Sequence, residues 1–305
     1  MEHKIRTDLA LEVRESFEQD NVEIKGVVLT EEFENDNKIR ISTVEIKDEE
    51  GAKAMGKPIG TYITIEAPEL LNSSEDYCKP VSDLIARYLR KLTGDLKKED
   101  VLVVGLGNRE VTPDSLGPHV IDNLFVTRHL IREFGEEFRK KNNLGSVSAI
   151  SPGVMAQTGM ETLEIIKGVI RETNPKLIIA IDALASRSIG RLNTTVQIAD
   201  TGICPGSGVG NDRKALNEES LGVKVIAIGV PTVVDAATIV ADTLTKYMES
   251  TGFGEEDIFK FISEVNGHQM YNMFVTPKNI DESVKRISYT LSEALNSCFS
   301  QPAMT

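Results

Sequence analysis

The spacing of hydrophobic and polar positions changes once along this chain. Between residues 22 and 65 they alternate, in VEIKGVVL at Val22–Leu29, IRISTVEI at Ile39–Ile46 and GTYITI at Gly60–Ile65. Alternation buries one side of a segment and wets the other, so the spacing predicts three half-buried strands in a small mixed or antiparallel layer. Ahead of them, Leu9, Leu11, Val13 and Phe17 recur at helical spacing in the heavily charged stretch Leu9–Gln19. From Tyr77 onward the period lengthens. YCKPVSDLIARYLRKL at Tyr77–Leu92 is an amphipathic helix with Pro80 in its first turn, where a missing N–H is tolerated.

Short continuous apolar runs then alternate with helical patterns. The strands are VLVV at Val101–Val104, Ser146–Ile150, LIIAI at Leu177–Ile181 and VKVIAI at Val223–Ile228. The helices are Pro118–Lys140, Met160–Glu172 and Ala236–Met248, followed by helical stretches at Glu255–Val265 and Asn279–Leu295. Strands that are apolar throughout are covered on both faces, and their alternation with helices predicts an α/β fold. The expected form is a doubly wound, mostly parallel sheet flanked by helices, with a smaller N-terminal β-rich layer. Neither an internal repeat nor a low-complexity linker divides the chain. One domain is expected over 9–305, with a β-rich part at 9–75, a parallel-sheet core at 76–250 and C-terminal helices at 251–305.

Composition narrows the class. At 305 residues the chain is long enough for a large core, and with no Trp and 5% aromatics that core rests on Val, Ile, Leu and Met. A formal net charge of −13 repels nucleic acid and anionic membrane, so neither is expected as a partner. The three cysteines, Cys78, Cys204 and Cys298, are far apart and show no zinc spacing, which fits a reducing cytoplasm. No apolar run is long enough for a signal peptide core or a membrane span.

In open α/β sheets, ligands bind beyond the carboxyl ends of the parallel strands. That rule selects Asp114, in the loop GLGNREVTPDSLGP after Val104, and Asp182, directly after Ile181. Nearby loops carry Asn108, Ser151 and Gly153, the glycine-rich segment Gly202–Asn211 with Gly206 and Gly208, and Thr232 in Gly229–Thr232. Two carboxylates suffice for peptide hydrolysis: one, ionised, takes a proton from water, and the other, protonated, polarises the carbonyl and then protonates the leaving nitrogen. Each aspartate also has a plainer role open to it, Asp114 as a helix cap and Asp182 as the anchor of a turn. No phosphate-loop or dinucleotide fingerprint is present, and His119, His268 and Cys204 fall into no pattern that pairs a nucleophile with a base. Neither a metal nor a cofactor is expected. Near the start, Thr7-Asp8-Leu9-Ala10 sets an acidic residue before a large apolar one, next to a charged terminus expected to be exposed and easily cut.

A set of longer motifs carries a resemblance. IRTDLALE, VVGLGNREVTPDSLGP, SPGVMAQTGMET, IDALASRS, TGICPGSGVGN and VPTVVDA, in this order, resemble the germination proteases of spore-forming bacteria. The resemblance implies an endopeptidase, in the cytoplasm of the forespore and spore core, that degrades small acid-soluble spore proteins during germination. It implies a homotetrameric zymogen that cleaves itself near its N-terminus. It also implies a fold similar to the hydrogenase-maturation endopeptidases and a catalytic pair of aspartates, which by motif fall on Asp114 and Asp182. Substrates of the family are cut after Glu and before a large apolar residue, so the matching bond here is Asp8–Leu9 and residues 1–8 would be a propeptide, whose Lys4, Ile5 and Arg6 would hold a neighbouring loop or carboxylate closed. A metal-dependent processing peptidase, or a non-catalytic α/β binding module, are the alternatives. The Ser115 that follows Asp114, where the hydrogenase-maturation type has a second Asp, speaks against the first of these.

Overall fold

A computed structural model describes residues 7–18, 24–72, 77–206, 213–251 and 273–300. The helices are α1 (Ala10–Glu18), α2 (Glu49–Met55), α3 (Glu69–Asn72), α4 (Lys79–Thr93), α5 (Leu116–Asp122), α6 (Arg128–Asn142), α7 (Met155–Thr158), α8 (Thr162–Thr173), α9 (Glu218–Leu221), α10 (Ala236–Ser250) and α11 (Ile280–Phe299). The strands are β1 (Val27–Glu34), β2 (Ile39–Ile46), β3 (Gly60–Glu66), β4 (Asp100–Gly105), β5 (Ser146–Ile150), β6 (Leu177–Ser186), β7 (Thr195–Ala199), β8 (Lys224–Asp235) and β9 (Phe274–Val275). They form one sheet in the order β1-β2-β3-β7-β8-β6-β4-β5, with β9 paired to β8. The four strands β5-β4-β6-β8 run parallel, and the pairings from β8 through β7 and β3 to β1 are antiparallel. The β-rich N-terminal part is thus antiparallel and lies edge-on in the same sheet, joined through β7.

Side chains of paired strands alternate between two faces, and helices cover both. On one face Val101, Val103, Ile179, Ile181, Ile226, Ile228, Val196 and Ile65 pack under α4, α5 and α11 in a single core. The other face carries two clusters. Leu102, Val104, Ile178 and Val225 lie under α8 and α9, while Val44, Tyr62, Ala199 and Ala227 lie under α1 and α2. This is the doubly wound arrangement that the apolar runs predict. Among the described residues no helix is long and apolar enough to cross a membrane.

The structure revises several boundaries. The first strand begins at Val27, five residues later than its alternation suggests, because Val27 N donates to Ile24 O across a turn at Gly26 (φ +77°). It continues through the charged segment TEEFE because it is the edge of the sheet and mostly exposed. The single helix expected over Pro118–Lys140 is two, α5 and α6. Between them Thr127 leaves the helical path to bond the sheet edge, its N–H donating to Val147 O (3.0 Å) while its hydroxyl accepts from Val147 N (2.9 Å). Both β6 and β8 run past their apolar cores, so Asp182 and Gly229–Thr232 are strand residues and do not lie in loops. Strand β7 was not foreseen. The helix read at Glu255–Val265 lies outside the described residues.

Candidate active site

Asp114 is held by backbone. Strand β4 ends at Gly105, and Leu106 N donates to Ile181 O (2.8 Å), stitching the loop to β6. Helix α5 then presses against that junction. A Cβ on Gly117 would stand 2.3 Å from Leu106 O and 2.7 Å from Ile181 O, and one on Gly105 2.3 Å from Gly117 O, so only glycines permit this approach. Gly107 adopts φ +109°, where a Cβ would stand 1.9 Å from Asp114 O. The turn this creates aims Asn108 N at Asp114 Oδ2, 2.7 Å away. The Asn108 side chain in turn accepts from Glu110 N and from Gln157 Nε2. Thr232 Oγ1 donates to Pro113 O (2.7 Å), tying the loop to β8. The carboxylate of Asp114 therefore serves its own loop, and the start of α5 is Ser115, which makes no side-chain cap.

Asp182 sits on β6 one residue beyond the level at which β4 ends, since Gly105 pairs with Ile181. It is buried, and its Oδ1 accepts from Ala183 N (3.0 Å). Burial pushes its carboxyl well above the usual range, and the charges of Asp114 and Asp8 push it further. The Asp114 carboxyl is also raised, chiefly by burial, against the bond from Asn108 N and the nearby charge of Arg213. The charge of Asp114 thus acts on Asp182, as like charges in a confined space must, and of the two carboxyls Asp182 is the more strongly raised. Two such carboxyls at a sheet edge, with one protonated and the other ionised, would be equipped to activate water and protonate a leaving group.

The N-terminal segment occupies the same place. Asp8 N donates to Ala185 O (2.9 Å), and Asp8 Oδ2 accepts from Ala185 N (2.9 Å), so residue 8 meets both backbone groups of Ala185 near the end of β6. Its carbonyl oxygen accepts from Lys57 Nζ (2.9 Å) and from Gln197 Nε2 (3.3 Å). Ala10 N donates to Gln197 Oε1 (2.8 Å). Leu9, Ala10 and Leu11 are fully buried, while the terminus before Thr7, read as exposed, lies outside the described residues. Glu12 fastens α1: its carboxylate accepts from Arg187 N (2.7 Å) and Ser188 N (3.0 Å) and lies 3.4 Å from Arg191 Nη1. Arg191 also bonds both carboxylate oxygens of Glu15 (2.7 Å each) and Oε1 of Glu66 (2.8 Å).

The remaining sequence candidates divide. Asn108 and Thr232 brace the Asp114 loop, as described. Ser151 follows β5 at the same edge, and Gly153 adopts φ +72° beside Gln157, the residue that holds Asn108. Gly206 lies in the turn after Cys204, Gly208 lies outside the described residues, and so do His268 and Lys4, Ile5 and Arg6. Cys204 is exposed, and His119 is paired at 3.7 Å with Asp122 on α5. Among the described residues no group of three His, Cys, Asp or Glu side chains is placed to hold a metal. Lys57 and Gln197 were not singled out by sequence. Lys57 reads as an ordinary loop lysine, whereas Gln197 interrupts an apolar alternation, TVQIA, which is the one signal that could have marked both strand β7 and a polar group on its inner face.

Comparison with known proteins bears on what this arrangement serves. The family model described as germination protease matches residues 5–257. The germination protease of Caldanaerobacter subterraneus subsp. tengcongensis is 49% identical over 99% of this chain and 95% of its own length. That of Clostridium perfringens is 42% identical over 96% and 94%, and that of a Geobacillus species 39% identical over 96% and 93%. Among solved structures, a [NiFe] hydrogenase maturation protease, HycI from Thermococcus kodakarensis KOD1, matches at 17% identity and a TM-score of 0.33, over 68% of this chain and 98% of that one. The paired carboxyls at the sheet edge stand in a chain whose sequence matches, nearly end to end, proteins of one peptidase family: this chain belongs to the germination proteases.

Proposed function

We propose that this protease is an aspartic-type endopeptidase that uses Asp114 and Asp182 to activate water. Its substrates are the small acid-soluble spore proteins of the germinating spore core, and it is made as a homotetrameric zymogen that cuts itself between Asp8 and Leu9. The observation that carries the reading is the docking of residues 7–10 against β6, with the carboxylate of Asp8 on Ala185 N and close enough to Asp182 to raise its pKa. An acidic residue followed by a buried leucine lies against the end of β6 near Asp182, held by one backbone bond and one side-chain bond to Ala185.

The same docking supplies a reason why eight residues can restrain the enzyme. A protein substrate presenting its own acidic residue has to take the place that Asp8 fills. The propeptide therefore acts by occupancy, with no need of bulk. The test is intact mass spectrometry of the purified full-length protein at neutral and mildly acidic pH, alongside Asp114→Asn and Asp182→Asn. Loss of residues 1–8 in the parent alone supports the reading. Equal cleavage in both variants removes the aspartate pair from it.

A further inference from the structure

We propose that Lys57 and Gln197 are catalytic residues of the self-processing reaction, holding the carbonyl oxygen of Asp8 and stabilising the negative charge that forms on it as the Asp8–Leu9 bond is cut. The inference rests on the reading of Asp8–Leu9 as the bond that is cut, and it adds the half of the site that the two aspartates do not supply. The same pair would receive the carbonyl of the acidic residue in a protein substrate.

The geometry assembles from three separate pieces of the fold. Asp182 on β6 and Gln197 on β7 both pair with Gly229 on β8, one from each side. Residues paired in register project to the same face, so Asp182 and Gln197 stand in one row, two strand spacings or about 10 Å apart, with a glycine between them. Residues 7–10 cross this row. On its Asp182 side Asp8 bonds Ala185, and on its Gln197 side the Asp8 carbonyl receives two donors. Lys57 comes from the turn between α2 and β3.

The contacts are specific to the bond in question. The Gln197 amide spans it, donating to the carbonyl of Asp8 before it and accepting from the N–H of Ala10 after it. Leu9 N, the nitrogen that would leave, donates to Thr7 Oγ1 (3.1 Å). Lys57 Nζ donates to the carbonyl from a site where burial lowers its pKa, against the opposing pull of Asp8, Cys204 and Glu12. Two donors converging on one carbonyl oxygen in a partly desolvated site are the arrangement that stabilises a developing oxyanion.

The step balances as hydrolysis. The water oxygen bonds the Asp8 carbonyl carbon and passes one proton to the ionised carboxyl of the pair. The carbonyl π electrons move to the oxygen, where Lys57 and Gln197 hold them. The protonated carboxyl then gives its proton to Leu9 N as the C–N bond breaks and the electron pair returns to form the carbonyl. Asp8 leaves with a new carboxylic acid and Leu9 with a new amine, and the acid's proton then passes to the amine or to solvent.

The test compares self-cleavage rates of the full-length parent, Lys57→Met, Lys57→Gln, Gln197→Leu and Asp114→Asn by intact mass, with melting temperatures and amide exchange at Leu9 and Ala10. Lys57→Met is expected to slow cleavage on the order of 100-fold or more and Gln197→Leu by about 10-fold, with Lys57→Gln in between because it keeps a neutral donor. Parental rates in Lys57→Met and Gln197→Leu, with Asp114→Asn inactive, overturn this inference and leave the aspartate reading standing. Faster exchange at Leu9 and Ala10 with an unchanged rate shows an anchor only and also overturns it. If Lys57→Met fails to fold, Lys57→Gln and Gln197→Leu decide on the same terms. A parent that does not cut at Asp8–Leu9 overturns both readings.

Discussion

Replacing Glu12 with Gln isolates what holds the N-terminal segment in place. The substitution keeps the size and shape of the side chain but leaves one acceptor oxygen where there were two. Glu12 Oε2 accepts from Arg187 N and from the hydroxyl of Thr7, and Oε1 from Ser188 N. In the variant an NH2 group must face one of the two backbone N–H donors. A lost charge-assisted bond together with an orphaned donor costs about 2–3 kcal/mol. The lost attraction to Arg191 adds less, because Glu15 and Glu66 still neutralise that guanidinium at 2.7–2.8 Å. The expected total is about 2–4 kcal/mol. Because α1 lies outside the sheet, the loss is expected to fall first on local opening. Amide exchange at Leu9, Ala10 and Ser188 is expected to quicken by about 30- to 1,000-fold, while the melting temperature drops by only a few degrees. Exchange at these amides within threefold of the parent would refute the claim that Glu12 is the fastening.

Asp182→Asn is expected to abolish processing and yet raise stability at neutral pH. The folded chain holds a proton on Asp182 above the pH at which the unfolded chain releases it, so its contribution is full below about pH 4 and is lost as pH rises through the raised pKa. The melting advantage of the variant should therefore be largest at pH 7–8 and shrink as pH falls toward about 4; a constant gap would contradict the assignment of the proton. Gly117→Ala places a methyl 2.3 Å from Leu106 O and 2.5 Å from Leu106 N, both rigid backbone. It should lower stability by about 1–3 kcal/mol and stop processing by moving the Asp114 loop, and a parental melting curve would show the packing argument to be wrong. Asp8→Ala removes the carboxylate that accepts from Ala185 N and should slow cleavage after residue 8 by at least about 10-fold, read by intact mass.

Much of this protein is set locally. The apolar runs Val101–Val104 and Leu177–Ile181 can only be strands covered on both faces, and the helical patterns between them require the doubly wound layout. The rule that ligands gather past such strands, applied to Val104 and Ile181, reaches Asp114 and Asp182 without any coordinates. Tertiary structure decided what local pattern cannot express. The length of β6 and β8 is set by their pairing with each other, so that Asp182 and Thr232 lie in strands. The break between α5 and α6 exists because Thr127 bonds β5 across the sheet edge. Most of all, the charged stretch after Thr7 gives no sign of its destination. Glu12 finds its partners at Arg187 and Ser188, and Asp8 meets Lys57, Ala185 and Gln197, through contacts spanning 49 to 189 residues. Period and propensity describe how a segment folds on itself. Which distant segment satisfies its buried charges and backbone donors depends on the sheet order, and that order is written only in the packed chain.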